Sequence, residues 1–125
     1  MIEPQKLLIS IGTNVDHEEK MAFAKKYLRG LFSTIVFTND IWTDPINIVS
    51  DRFLNCLALT TTKHGLKQME RALKQIEKKC GDSKSKRSEN IIAIDIDILQ
   101  YGNQRLNEED WNREYIQALI KELAI

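Results

Sequence analysis

The residues best suited to chemistry are two acidic residues in an otherwise apolar segment, Ile92-Ala93-Ile94-Asp95-Ile96-Asp97-Ile98. In a strand, successive side chains point to opposite faces, so the isoleucines share one face and the two carboxylates project side by side on the other, about 7 Å apart. Carboxylates so placed repel each other unless a cation lies between them. Oxygen ligands suit Mg²⁺, which bridges to substrate phosphates. The segment therefore predicts a magnesium site at Asp95 and Asp97; the alternative is a half-buried strand whose polar face lies in water.

A second candidate pair lies in Phe53-Leu54-Asn55. Strand alternation places Phe53 and Asn55 on one face, where an aromatic ring can stack on a flat heterocycle and a carboxamide can pair with the edge of that heterocycle. Taken alone, the pair is more typical of ordinary strand residues than of a binding site.

The segment 81–90 contains no large apolar residue and carries Lys84, Lys86 and Arg87. This composition predicts a solvated, mobile loop that leads into the acidic strand. Cations in such a loop can fold over bound phosphates and neutralise them, as catalytic lids do. The alternative is solvated surface. His17 and His64 have no partners at metal-ligand spacing, and we expect both at the surface.

Hydrophobic periodicity indicates the elements that must position these residues. Short apolar or alternating runs predict strands over residues 7–11, 33–43, 53–60 and 91–99. Apolar residues at intervals of three and four predict helices over 17–32, 63–80 and 107–123. The order strand, helix, strand, strand, helix, strand is that of a split βαβ, or ferredoxin-like, α+β sandwich. We expect a mostly antiparallel sheet with helices on one face.

Length and charge limit the classes of function. The 125 residues predict a single domain, 1–125. Its 18 Lys and Arg balance 18 Asp and Glu, so the molecule has no overall attraction for nucleic acid or for an anionic membrane. Two cysteines are too few for a disulfide framework, and no signal peptide or membrane-spanning run is evident. We therefore expect a soluble, cytoplasmic protein without nucleic-acid or membrane partners.

Six short motifs follow one another between residues 7 and 107. They are Ile11-Gly12-Thr13-Asn14, Trp42-Thr43-Asp44-Pro45, Arg52-Phe53-Leu54-Asn55, Gln75-Ile76-Glu77, Asp95-Ile96-Asp97-Ile98-Leu99 and Tyr101-Gly102-Asn103. In order and spacing they resemble the 6-hydroxymethyl-7,8-dihydropterin pyrophosphokinase family of folate biosynthesis. That resemblance implies a ferredoxin-like fold and Mg²⁺-dependent transfer of pyrophosphate from ATP to the hydroxymethyl group of the pterin, with release of AMP.

Carried over residue by residue, the resemblance implies the site residues. The two aspartates would hold two Mg²⁺ ions, and ATP would be the co-substrate. The implied pterin-binding residues are Thr43, Pro45, Phe53 and Asn55, the nucleotide-binding residues are Glu77 and Ile98, and the metal ligands Asp95 and Asp97 are also catalytic.

The chain departs from the family pattern beside the acidic pair. Ile92 and Glu89 stand where the family has an arginine and a tryptophan, and the later Pro-His segment of the family is absent. Lys84 and Arg87 are the candidate catalytic cations in place of the missing contact, although lysine lacks the planar fork of arginine. Three hypotheses stay open: an active pyrophosphokinase, a weak or inactive member that binds a pterin-like or nucleotide ligand, and a ferredoxin-like interaction module.

Overall fold

The computed structural model describes residues 3–123, which form one sheet of six strands and five helices. The strands are β1 (Gln5–Thr13), β2 (Val36–Phe37), β3 (Ile41–Thr43), β4 (Phe53–Thr62), β5 (Asp95–Tyr101) and β6 (Gln104–Arg105). The helices are α1 (His17–Leu31), α2 (Leu66–Lys79), α3 (Lys84–Ser88), α4 (Glu108–Trp111) and α5 (Glu114–Glu122).

The sheet has the order β2-β4-β1-β5-β6, with β3 also paired to β4. Every pairing is antiparallel. Strand β1 lies between β4 and β5, and both of its faces are covered, which is why its apolar residues do not alternate with polar ones. The arrangement confirms the predicted α+β, ferredoxin-like fold.

One face of the sheet packs against α1 and α2, as expected. Met21, Ala24 and Leu28 of α1 and Met69, Leu73 and Ile76 of α2 are buried in a core with Ile9, Ile11, Cys56, Ile96 and Ile98 of the sheet. Because the buried residues of α1 and α2 anchor both helices to the sheet, the two helices form a rigid layer behind the strands.

The opposite face is partly covered by α4 and α5, which the sequence patterns had not placed there. Trp111, Ile116 and Leu119 pack against Leu8, Leu57 and Leu99. The rest of this face, toward the start of β4 and β5, remains open to ligands.

Two of the predicted strands differ in their bounds. The predicted strand 33–43 is divided into β2 and β3 by a bulge, where the Oγ1 atom of Thr38 accepts the N–H of Leu57 in place of a backbone partner. The predicted strand 91–99 begins only at Asp95, because Ile92 instead exchanges hydrogen bonds with Asn14 in the turn after β1.

Two other segments also differ. The predicted loop 81–90 contains α3, whose start is capped by the Ser83 hydroxyl accepting the N–H of Lys86. The predicted helix 107–123 is interrupted between Trp111 and Glu114, giving α4 and α5. Among the described residues, no helix is long and apolar enough to cross a membrane.

Candidate functional site

The register of three neighbouring strands brings the predicted site residues together. Gly12 of β1 is paired with Asn55 of β4 on one side and with Asp95 of β5 on the other, while Ser10 is paired with Asp97. Directly paired residues share a face of the sheet. The carboxamide and both carboxylates therefore lie on the face opposite α1 and α2.

These side chains line a cavity of about 200 Å³, here called the sheet cavity. Five of the predicted pterin and metal residues line it: Thr43 from β3, Phe53 and Asn55 from β4, and Asp95 and Asp97 from β5. The lining also includes Gly12, Asp44, Asp110, Arg113 and Tyr115. Pro45 does not line this cavity, although its neighbours Asp44 and Ile46 do.

Asn55 is fixed in one orientation. Its Nδ2 donates to the Oγ1 of Thr43 at 2.8 Å, and the side chain is 6% exposed. A Cβ atom at position 12 would come 2.9 Å from the Asn55 Oδ1 and 3.7 Å from the Phe53 ring, so a residue larger than glycine would collide there. Gly12 therefore leaves room for the amide oxygen of Asn55, whereas the Phe53 ring would meet that Cβ atom at an ordinary contact distance.

The two aspartates bring two carboxyl groups close together in the structure. Burial, and after it the neighbouring Asp95 carboxylate, raises the pKa of Asp97 to about 8. A divalent cation would relieve this repulsion, and the all-oxygen donor set suits Mg²⁺. Within residues 3–123 no group of three or more His, Cys, Asp or Glu gathers around one point. The remaining ligands of such an ion would therefore be water and substrate phosphate.

A second, larger cavity of about 770 Å³ lies at the free edge of β5 and is here called the edge cavity. It is lined by Glu77 and Ile98, the two residues assigned to the nucleotide, and by Lys84 and Arg87. Asp95 and Asp97 line this cavity as well as the sheet cavity. The acidic pair therefore stands where the two cavities meet.

Glu77 holds the strand that carries the aspartates. Its Oε2 accepts the backbone N–H of Ile96 at 2.7 Å, at the edge of β5 that has no strand partner there. Asn107 donates to the carbonyl of Ile98 at 2.9 Å on the same edge. Burial raises the pKa of Glu77 to about 7, while the Ile96 N–H opposes that shift. Glu77 thus fixes the acidic strand as well as lining the edge cavity.

The basic residues of segment 81–90 make different contacts. Arg87 lies 2.6 Å from Asp82 and 3.3 Å from Asp95, and donates to the carbonyl of Ile94 at 3.2 Å. Lys86 donates to the carbonyl of Gly81 and lies outside the edge cavity. Arg87 is thereby the cation of α3 that touches the predicted metal site.

Sequence reasoning gave no role to several residues of the sheet cavity, among them Asp110, Arg113 and Tyr115. Arg113 Nε lies 2.9 Å from Asp110 Oδ1, so α4 and the start of α5 are joined by an ion pair at the cavity wall. The spacing of three between an acid and a base was visible in the sequence. What was not visible is that the chain crosses to the open face of the sheet before this pair.

Comparison with known proteins identifies one family model, described as 7,8-dihydro-6-hydroxymethylpterin-pyrophosphokinase, which matches residues 8–124. The match therefore includes both cavities and nearly the whole chain. No curated protein matches the sequence.

Proposed function

The chain belongs to the 7,8-dihydro-6-hydroxymethylpterin-pyrophosphokinase family, and on that premise we propose that it transfers the β,γ-pyrophosphoryl group of ATP to the hydroxymethyl oxygen of the dihydropterin, releasing AMP. The family description implies this pyrophosphate transfer, a step of folate synthesis that uses ATP and Mg²⁺.

The observation that carries the proposal is that one pair of carboxylates lines two cavities. Asp95 and Asp97 face the small sheet cavity on one side and the larger edge cavity on the other. A group-transfer reaction between two substrates needs this arrangement, because the transferred group must pass between two bound molecules over a short distance.

The sheet cavity suits the pterin. Its Phe53 ring offers a surface for stacking, and the Asn55 Oδ1, which accepts no hydrogen bond from the described residues, offers an acceptor to an N–H on the edge of the heterocycle. Thr43 orients that amide and completes the wall. In this assignment Pro45 lies next to the cavity-lining residues Asp44 and Ile46 without facing the ligand.

The edge cavity suits the nucleotide, and we assign ATP to it. Glu77 and Ile98 belong to its wall, to which Lys84 and Arg87 bring positive charge. The Arg87 guanidinium lies 3.3 Å from Asp95. Asp95 and Asp97 would hold two Mg²⁺ ions, which would neutralise and orient the transferring phosphates. The protein itself contributes position and cationic groups, which supply most of the catalysis of phosphoryl transfer.

A weak or inactive member that binds a pterin-like or nucleotide ligand is the second candidate. The arginine of the family is replaced by Ile92, and the guanidinium of Arg87 is already paired with Asp82 and Asp95. Such a protein would retain both cavities, while the guanidinium of Arg87 would stay paired with the two aspartates instead of clamping the phosphates.

The test measures AMP released by the purified protein with ATP, Mg²⁺ and 6-hydroxymethyl-7,8-dihydropterin. We expect AMP from the wild type and none from Asp95→Ala/Asp97→Ala. The matched control is Glu18→Ala/Glu19→Ala, which removes two exposed carboxylates from α1 and should retain activity.

The melting temperatures of the same proteins separate the alternatives. A folded wild type that releases no AMP but is stabilised by the pterin or by the nucleotide would be a binding protein. A folded wild type with neither AMP release nor a ligand-dependent melting temperature would contradict the proposal and favour an interaction module.

A further inference from the structure

A three-residue cluster outside both cavities remains without a role in the proposed function. The rings of His17 and Trp42 meet edge to face, with 4.7 Å between their centroids. The Arg52 guanidinium lies 4.4 Å from the centre of the Trp42 ring. The Nε2 of His17 donates to the backbone carbonyl of Arg52 at 2.7 Å, since a carbonyl can only accept. Each member therefore contacts the other two.

The cluster joins the two ends of one segment. Trp42 is followed by Thr43, the last residue of β3, and Arg52 is followed by Phe53, the first residue of β4. Thr43 and Phe53 are paired across the ladder, and both line the sheet cavity. The cluster thus holds the residues that immediately precede two walls of the cavity.

The segment between these ends, 44–52, is held at few other points. Among the described residues, its hydrogen bonds to other elements are the one from His17 to the Arg52 carbonyl and the one from Asn90 Nδ2 to the Val49 carbonyl at 3.4 Å. The Val49 side chain is 91% exposed. The position of this segment therefore depends strongly on the attachment at its ends.

His17 is well placed to provide that attachment. It is the first residue of α1, and α1 is anchored to the sheet by Met21, Ala24 and Leu28. A contact made by His17 therefore connects segment 44–52 to the rigid helical layer of the fold.

We propose that His17 is a positioning residue that clamps segment 44–52 through Trp42 and Arg52, and so keeps Thr43 and Phe53 in place for the flat heterocyclic substrate. The identity of that substrate rests on the proposed function, whereas the clamp itself does not. His17 contacts neither cavity, so it acts through its two neighbours.

Replacing His17 should weaken binding of the pterin selectively. We expect His17→Ala to raise the KM for the pterin about tenfold or less, since one hydrogen bond and one ring contact are lost. The kcat and the KM for ATP should stay within about twofold, because the edge cavity is untouched. His17→Gln, whose amide can still donate to the Arg52 carbonyl, should recover most of the affinity.

A second readout does not require activity. Trypsin cleaves after Arg52, and the carbonyl of that bond is the one His17 holds. We expect the fragment 1–52 to appear several times faster from His17→Ala than from the wild type, because cleavage follows the population of the opened segment. His64→Ala is the control, since it removes the only other histidine of the chain, from the turn before α2.

The outcomes separate the clamp from the proposed function. Faster cleavage after Arg52 in His17→Ala alone, with a normal rate in His17→Gln, supports the clamp even if the wild type releases no AMP. An unchanged cleavage rate together with an unchanged pterin KM overturns it. If His17→Ala and His17→Gln both melt far below the wild type while His64→Ala does not, His17 is a structural residue and the clamp is wrong.

Discussion

The sheet cavity and the edge cavity share Asp95 and Asp97 but are built in different ways. The sheet cavity is the smaller, about 200 Å³ against about 770 Å³, and much of its wall consists of short side chains on hydrogen-bonded strands. The edge cavity is walled largely by α2 and α3, with long charged side chains such as Lys74, Lys78 and Lys84. A strand register fixes the first wall, whereas side-chain rotamers shape the second. We therefore expect shape selection in the sheet cavity and charge neutralisation in the edge cavity.

The charges differ in the same sense. The sheet cavity contains four aspartates, Asp44, Asp95, Asp97 and Asp110, and one base, Arg113. The edge cavity has four bases, Lys74, Lys78, Lys84 and Arg87, and five acids, Glu70, Glu77, Asp82, Asp95 and Asp97. Its charges are therefore nearly balanced, whereas those of the sheet cavity are mostly negative. We expect a neutral, donor-rich heterocycle in the sheet cavity and the anionic phosphate chain in the edge cavity, beside the four bases.

The largest effect should come from the residues that both cavities share. We expect Asp97→Asn to lower the rate of AMP release by about a thousandfold, because the metal ions that the pair would hold supply several kcal/mol of charge stabilisation. Asp44→Asn removes the same charge from the sheet cavity alone and should cost about tenfold at most. Equal losses in the two variants would show that the cavity needs negative charge in general rather than this carboxylate.

A change confined to the sheet cavity should separate the two binding sites. Phe53→Ala should weaken pterin binding about 10- to 100-fold, because stacking of a base on an aromatic ring contributes about 1–3 kcal/mol. Calorimetry should show unchanged affinity for a non-hydrolysable ATP analogue. Phe53→Tyr keeps the ring and should bind the pterin normally. A parallel loss of nucleotide affinity in Phe53→Ala would contradict the division between the cavities.

The two cavities also differ in how much of them the sequence predicts. Alternation along a strand is strict, so it predicted that Phe53 and Asn55 share a face and that Asp95 and Asp97 project together. To bring these side chains of different strands together, the prediction then needed only the correct order of the strands in the sheet. The roles of these residues in binding remain predictions.

The remaining walls depend on information that local patterns do not contain. An amphipathic pattern shows that one side of a helix is buried but not which face of the sheet it covers, so Asp110 and Arg113 could not be placed. Helix α3 has no buried residue. It is held by the Ser83 cap and by contacts of Arg87 with Asp82 and Asp95. These contacts are polar, so the pattern of hydrophobicity on which the prediction was based does not reveal them.

A smaller effect is expected at the edge cavity, where Arg87 would compete with a bound cation for Asp95. The guanidinium lies 3.3 Å from the carboxylate, and both side chains are more than one-third exposed, Arg87 at 35% and Asp95 at 39%. Exposed ion pairs contribute little, so we expect Arg87→Gln to bind Mn²⁺ alone only about two- to fivefold more tightly.

Lys84→Gln provides the matched control for Arg87→Gln. It removes the same charge from the same helix and the same cavity, and Lys84 has no ion pair with Asp95 among the described contacts. Metal titrations of the two variants without nucleotide should therefore differ. An equal increase of Mn²⁺ affinity in both variants would indicate a long-range effect of net charge. It would contradict a direct competition between Arg87 and the metal.

The smallest effect concerns stability and follows from the raised pKa of Asp97. The pKa of this carboxyl is about 8 in the folded protein and 3.8 ordinarily, mainly because of burial. The folded state therefore binds the proton more tightly than the unfolded state. The resulting stabilisation is complete below about pH 4 and is lost as the pH rises toward 8.

Asp97→Asn should remove this dependence from the metal-free protein. The asparagine has no charge to desolvate, so at pH 8 we expect the variant to be more stable than the wild type by ~1 kcal/mol, a modest value because water reaches the site. Urea unfolding at pH 5 and pH 8 measures the difference, which should be small at pH 5. Saturating Mg²⁺ should stabilise the wild type at pH 8 and leave the variant nearly unchanged, because the ion binds the ionised pair. A variant less stable than the wild type at pH 8 would mean that the Asp97 carboxylate is held by favourable contacts in the fold rather than strained by its surroundings. The acidic pair would then be a structural feature of β5, and the difference between the two cavities would have to be explained without a metal between them.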